Sequence, residues 1–290
     1  MRPDFSYAQA FTRNIGWVTE AEQATLRGKR VAIAGLGGVG GSHLLTLVRL
    51  GIGAFHIADF DEFGLANFNR QAGAMMSSVD RPKLDVLADM ARDINPELAI
   101  ERFPMGVNRE NIDAFLKDVD LFVDGFDFFV LDIRRAVFAR CTELGIPAIT
   151  AAPLGMGVAM LNFLPGRMSF EQYFGLEGRP QQEQYLRFLL GLAPRVLQRG
   201  YLADPSRVNF EAKAGPSTAM ACQLCAGFAA TEALKILLKR GPLLSAPHGM
   251  HFDAYRYQFV KTWRPMGNAN PLQRIALAIA GRQLKSFRAS

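Results

Sequence analysis

Cysteine is scarce, with three in 290 residues, too few for a disulfide framework and in keeping with a reducing compartment. The opening stretch MRPDFSYAQAF lacks the uninterrupted apolar core of an export signal, so the cytoplasm is the expected location. Long clean hydrophobic runs are missing as well. The most apolar stretch, Ile146 to Leu164, is interrupted by Pro147, Pro153, Gly155 and Gly157, and reads as two buried strands joined by a turn, not a membrane span. No lysine or arginine run with interleaved aromatics accompanies the net charge of +6. That charge suits an anionic partner, whether a nucleotide, a nucleic acid or an acidic protein, but nothing specific supports nucleic-acid binding. Internal repeats and low-complexity tracts are absent.

What is present is a core-forming composition, 49% hydrophobic against 21% charged, patterned as alternating strands and helices. Thr19 followed by Glu22 has the form of a capping box opening a short helix. Strands are expected at Arg30 to Gly35, Ala54 to Asp59, Leu98 to Phe103, Val119 to Asp124 and Pro147 to Ala152. Helices are expected at His43 to Leu50, Pro82 to Pro96, Asn111 to Lys117 and Leu131 to Leu144. This alternation predicts an α/β fold with a doubly wound, mostly parallel, Rossmann-like sheet, whose ligand loops lie at the carboxyl ends of the strands. Beyond Pro165 the pattern becomes polar and helix-prone, with periodic Tyr185, Phe188, Leu189 and Leu192, and predicts a helical insertion or lid. An alanine-rich helix from Pro216 to Lys239, an alternating strand from His251 to Trp263 and a basic helix from Pro271 to Phe287 complete the expected C-terminal extension.

Gly35, Gly37, Gly38, Gly40 and Gly41 fall between a strand and a helix, where missing side chains let backbone N–H groups and a helix N-terminus approach phosphates. Asp59 ends the next strand, where a carboxylate can accept hydrogen bonds from ribose hydroxyls. Neither feature chooses between a dinucleotide and ATP, and a tight turn without ligand has the same appearance.

The following residues do choose. Asp59 and Asp61 form D-x-D, Asn67, Arg70 and Gln71 form N-x-x-R-Q, and Pro82 and Lys83 open a helix. This stretch resembles the ThiF/MoeB/HesA family, which includes the ubiquitin-activating enzymes. The resemblance covers residues 13 to about 163 and resumes at Ala226 to Leu238 and at Phe252 to Ala254. It implies Mg-ATP as cofactor, with Arg70 and Lys83 on phosphates, Asp59, Asp61, Asn67 and Gln71 around the nucleotide, and Asp127 holding Mg²⁺. Phe126 and Phe128 flank Asp127 where the family often has T-D-N, so the pocket's lining is expected to differ. Arg13 resembles an arginine that family homodimers extend into the partner's ATP site.

On this resemblance, residues 1–165 form an ATP-binding adenylation core with an N-terminal helical arm. Residues 166–215 form the insertion, and residues 216–290 complete the same domain. The implied activity is attack of a substrate carboxylate on the α-phosphate of ATP, giving an acyl-adenylate and pyrophosphate, with the C-terminus of a ubiquitin-like protein, a peptide and a tRNA-linked group as the candidate substrates. Many relatives carry two C-x-x-C pairs for zinc, but this chain has only Cys222 and Cys225, so no structural zinc is expected. Those two and Cys141 are expected to pack in the core. Residues 152 to 215 contain no cysteine for a thioester. A catalytically idle nucleotide-binding partner protein is the alternative reading. An NAD-dependent oxidoreductase would leave Arg70, Lys83 and Asp127 without a joint purpose.

Overall fold

Short, largely apolar runs, too short for helices and rich in Val, Ile, Phe and Ala, build the centre of the sheet. The computed structural model describes residues 4–289, with side chains described through residue 282. The strands are β1 (Arg30–Ala34), β2 (Ala54–Ala58), β3 (Ala99–Phe103), β4 (Leu121–Asp124), β5 (Ala148–Leu154), β6 (Gly157–Phe163), β7 (His248–Asp253) and β8 (Gln258–Trp263). The helices are α1 (Tyr7–Ala10), α2 (Glu20–Arg27), α3 (Gly38–Leu50), α4 (Lys83–Ile94), α5 (Ile112–Phe115), α6 (Asp132–Leu144), α7 (Phe170–Phe174), α8 (Gln181–Leu192), α9 (Ala219–Leu237) and α10 (Pro271–Ala289).

The strand order is β3-β2-β1-β4-β5-β6-β7-β8. The first five strands pair in parallel and the remainder antiparallel, as expected of a Rossmann-like sheet with a C-terminal extension. Side chains alternate between faces along each central strand. Val31, Ile33, Phe55, Ile57, Leu121 and Val123 enter the core beneath α3, α4 and α9, whereas Ala32, Ala34, Ala58 and Phe122 meet α6 and the insertion on the other face. The small alanines on the second face leave room for its aromatic layer, including Phe138, Phe163, Phe170 and Phe174.

The expected alternating strand from His251 to Trp263 is instead a hairpin, with β7 and β8 joined through Ala254–Tyr257. Tyr257 adopts φ +53°, a left-handed conformation that no glycine or asparagine announced. Thr19 and Glu22 do form a reciprocal capping box at α2. Among the described residues α9 alone is long and apolar enough to cross a membrane, but it packs as a core helix against α3, β5 and β6. Its one buried acid, Glu232, accepts a 2.7 Å hydrogen bond from Asn162 and pairs with Lys235.

His43 on α3 is buried with neither ring nitrogen hydrogen-bonded, and burial pushes its pKa down from 6.5 to about 4. The unfolded chain therefore binds a proton that the folded chain refuses until about pH 4, so this contribution to stability is complete above pH 6.5 and declines as the pH falls. At about 1.4 kcal/mol per unit, acidification from pH 7 to 4 is expected to cost ~3 kcal/mol through His43 alone. Urea unfolding of wild type and His43→Leu across that range checks this: the variant should show the shallower pH slope, and equal slopes would refute the assignment.

Candidate functional site

The chain reverses its winding direction between β1 and β4, and the loops after β1, β2 and β4 converge there on one cleft of about 930 Å³. Backbone packing shapes its floor. Gly35, at φ +85°, accepts the close approach of Gly125: a Cβ on Gly35 would lie 2.4 Å from the Gly125 carbonyl oxygen. Gly40 is tighter still, its added Cβ falling 1.7 Å from the Gly35 oxygen. Gly40 and Gly41 are therefore packing glycines, the latter against Leu36 and Leu87, and only Gly35, Gly37 and Gly38 line the cleft. The turn delivers the first N–H groups of α3, which lack intrahelical acceptors, to the cleft wall. Gly40→Ala is expected to separate the two backbones at a cost of at least about 1–3 kcal/mol, measurable by urea unfolding; an unchanged midpoint would contradict this packing.

Asp59 braces the same turn. Its Oδ2 accepts from the Leu36 N–H at 2.6 Å and its Oδ1 from the Asp61 N–H at 2.8 Å. Burial pushes the carboxyl pKa up, opposed by these two hydrogen bonds and by the nearby charge of Lys83. Lys83 is buried, its Nζ 3.0 Å from Asp61 Oδ2, while its backbone N–H donates to the Asp61 carbonyl. The lysine charge is thus already balanced.

Arg70 has no carboxylate partner among the described residues. Its guanidinium donates to the Ala66 carbonyl at 3.0 Å and to Asn69 Oδ1 at 2.9 Å, and its stem runs along Gly38. This places an oriented, uncompensated cation beside the N-terminus of α3. Asn67 accepts from the Gly64 N–H at 3.0 Å and so shapes the turn that carries Arg70. Gln71 is buried, with its amide nitrogen side facing Gly37 and its Oε1 unpartnered.

Asp127 is exposed on the opposite wall, with Oδ1 accepting from the Phe129 N–H at 3.0 Å. No group of three or more His, Cys, Asp or Glu among the described residues is arranged for a metal. One carboxylate together with nucleotide phosphates is a donor set that Mg²⁺ accepts, and Asp127 would be that carboxylate.

Arg13 is exposed and does not line the cleft. Its neighbour Asn14 is tied to the Leu50 carbonyl at the far end of α3, a helix about 20 Å long whose other end forms the cleft. Cys141 and Cys225 pack in the core as expected, but Cys222 also lines the cleft, its Sγ 3.0 Å from where a Gly38 Cβ would stand. Burial raises the Cys222 pKa, so it faces the cleft as a thiol.

Three groups had no sequence signal. Asp124 and Arg134 form an ion pair at 2.9 Å with both side chains almost wholly buried, and Arg134 also donates to the carbonyls of Phe126, Asp127 and Val130. It is the internal strut of the loop carrying Asp127. The insertion supplies the remaining walls. Tyr201 accepts from the Met156 N–H and donates to buried Asp253, each at 2.8 Å, while Asn69 reaches the Ser217 carbonyl at 2.9 Å. Behind it, Asn268 and Gln273 donate to carbonyls of Phe174, Arg187 and Leu190 and hold α8 in place.

Comparison with known proteins agrees with this architecture. The ThiF family profile matches residues 11–274. The chain is 31% identical over 142 residues to the tRNA threonylcarbamoyladenosine dehydratase of Bacillus subtilis, covering 49% of this chain and 55% of that protein. It is 29% identical over 143 residues to the sulfur carrier protein ThiS adenylyltransferase of Escherichia coli, covering 49% and 56% respectively. The match thus spans about half the length of these curated relatives. A solved structure of E. coli MccB with ATP superposes with a TM-score of 0.66 at 17% identity, covering 91% of this chain and 73% of that one, a likeness of fold. With its family profile matched over nearly its whole length, and the sheet and glycine turn in place, this chain belongs to the ThiF family.

Proposed function

We propose that this protein is an ATP-dependent adenylating enzyme that activates a carboxylate. The observation that carries the reading is Arg70: an oriented guanidinium with no carboxylate partner among the described residues, set beside the free N–H groups of a glycine-started helix in a cleft with room for a nucleotide and more. ATP would lie with its phosphates over Gly37 and Gly38, its ribose near Asp59, and its base toward Phe60 and Gly106 at the β2 and β3 end of the cleft. Mg²⁺ held by Asp127 would supply charge neutralisation at the phosphates.

In the reaction a substrate carboxylate oxygen bonds to the α-phosphorus, and the bond from that phosphorus to the bridging oxygen breaks. Pyrophosphate leaves with the electron pair. The protein's contribution is alignment and electrostatics, since negative charge grows on the leaving group and Arg70, held by Ala66 and Asn69 beside the glycine turn, would meet it with little reorganisation. Lys83, neutralised by Asp61, contributes hydrogen-bond donors more than net charge. Any contribution from Arg13 requires a second copy of the chain, because in its own chain it sits at the wrong end of α3.

The ThiS adenylyltransferase and the ATP-bound MccB structure among the related proteins support this assignment. Calorimetric titration with ATP and with NAD tests it: ATP should bind and NAD should not, and a folded sample that binds only NAD would overturn it.

A further inference from the structure

Beyond its nucleotide half, the cleft continues into a bay of different chemistry. Phe128, Phe129, Leu154, Phe188, Leu189 and Phe210 line it. Phe128 stacks on Phe210 at 6.2 Å and 24°, Phe188 lies 5.4 Å from Phe128, and Tyr185 closes edge-on against Phe129 at 5.1 Å. Rings that pack on one another in this way are held in place by their neighbours and form a preformed apolar wall. At the rim stand Arg199 and Lys213, both exposed and without an ion-pair partner among the described residues. The loop after β4 and the insertion build most of the wall, and Leu154 at the end of β5 completes it.

Resting on the adenylation reading, we propose that the activated acid carries a bulky aromatic or branched apolar group beside its carboxyl. Two observations point there together. The bay is continuous with the nucleotide half, so a group bound in it lies next to the ATP phosphates. Its charge is complementary, because Arg70 on one side and Arg199 and Lys213 on the other flank the apolar wall with unpaired cations that attract a carboxylate, while the rings take the side group. A Gly-Gly tail, with no side chains, would leave these rings without a partner. Free small acids and the C-terminal residue of a peptide share the required chemistry.

Acid-dependent exchange of labelled pyrophosphate into ATP, measured on the full chain, tests this with N-acetyl-phenylalanine, N-acetyl-leucine, N-acetylglycine and short peptides ending in Phe or in Gly-Gly. The phenylalanine and leucine forms are expected to exceed the glycine forms by about ten- to hundredfold in kcat/KM, the range that burial of one large apolar group provides. Stronger exchange with the peptides than with the acetylated residues would assign the group to a peptide end, and the reverse to a free acid. Phe210→Ala should reduce the preference about tenfold through KM while the ATP Kd stays unchanged, and Phe210→Leu should restore most of it. Equal or better exchange with the glycine forms overturns the proposal and leaves adenylation standing. ATP binding with no exchange for any of these acids also overturns it, whereas failure to bind ATP removes the adenylation reading itself.

Discussion

Arg70→Ala is expected to lower kcat/KM for adenylation by about 10²–10³-fold with the fold intact. The size follows from what the side chain does: removing one preorganised donor from developing transition-state charge typically costs this much. Here the cost is placed on Arg70 and not on Lys83, because the lysine shares its charge with Asp61 at 3.0 Å whereas the arginine has no acid to offset it. Arg70→Lys keeps the charge but loses the planar guanidinium that Ala66 and Asn69 orient through one nitrogen, so it should recover only part of the rate. Arg70 is half-buried and binds only local acceptors, so urea unfolding should move by no more than about 1 kcal/mol. Steady-state kinetics with ATP varied, alongside the unfolding curves, check both expectations. A variant with near wild-type kcat/KM would remove Arg70 from the chemistry.

The second large effect is on stability. Arg134→Ala leaves Asp124 buried and uncompensated and strips donors from the carbonyls of Phe126, Asp127 and Val130. Breaking such a buried pair from one side typically costs about 3–5 kcal/mol. Its neighbour provides the control, since Arg135 pairs with Glu171 at 2.7 Å but both side chains stay partly in water. Arg135→Ala should therefore cost under about 1 kcal/mol. Exchanging both Asp124 and Arg134 for apolar residues should recover only part of the loss, because the loop carbonyls would still lack their donor. Chemical unfolding gives these differences directly, and a change below about 1 kcal/mol for Arg134→Ala would refute the strut.

The contrast between Arg134 and Arg70 shows where the sequence was readable. Strands β1, β2 and β4 are short and largely apolar, so period and punctuation identified them, and the glycine turn and D-x-D segment came with fixed spacing. Arg134 sits beside Arg135 in a helix and looks like one of two surface arginines. Only the fold brings it back ten residues onto Asp124. The β7–β8 hairpin was hidden because its turn residue Tyr257 takes a left-handed conformation without the usual residue types. Phe128 was visible, with Phe126, as a departure from the family pattern, whereas Phe129 carried no such signal. The partners of Phe128 and Phe129, Phe188 and Phe210, lie 59 or more residues away in the chain, a distance over which periodicity carries no information. Gly40 and Gly41 read as phosphate-binding residues because spacing cannot separate a glycine that faces a ligand from one pressed against another backbone.

The most direct test of adenylation at this cleft is the fate of ATP labelled at the α-phosphate when the wild-type protein is given a carboxylic acid it accepts. The expected result is label transferred to the acid as an adenylate, trapped with hydroxylamine as a hydroxamate plus AMP, with one pyrophosphate released per turnover and the transfer nearly lost in Arg70→Ala. Release of ADP and phosphate with no labelled adenylate, at equal rates in wild type and Arg70→Ala, would contradict it.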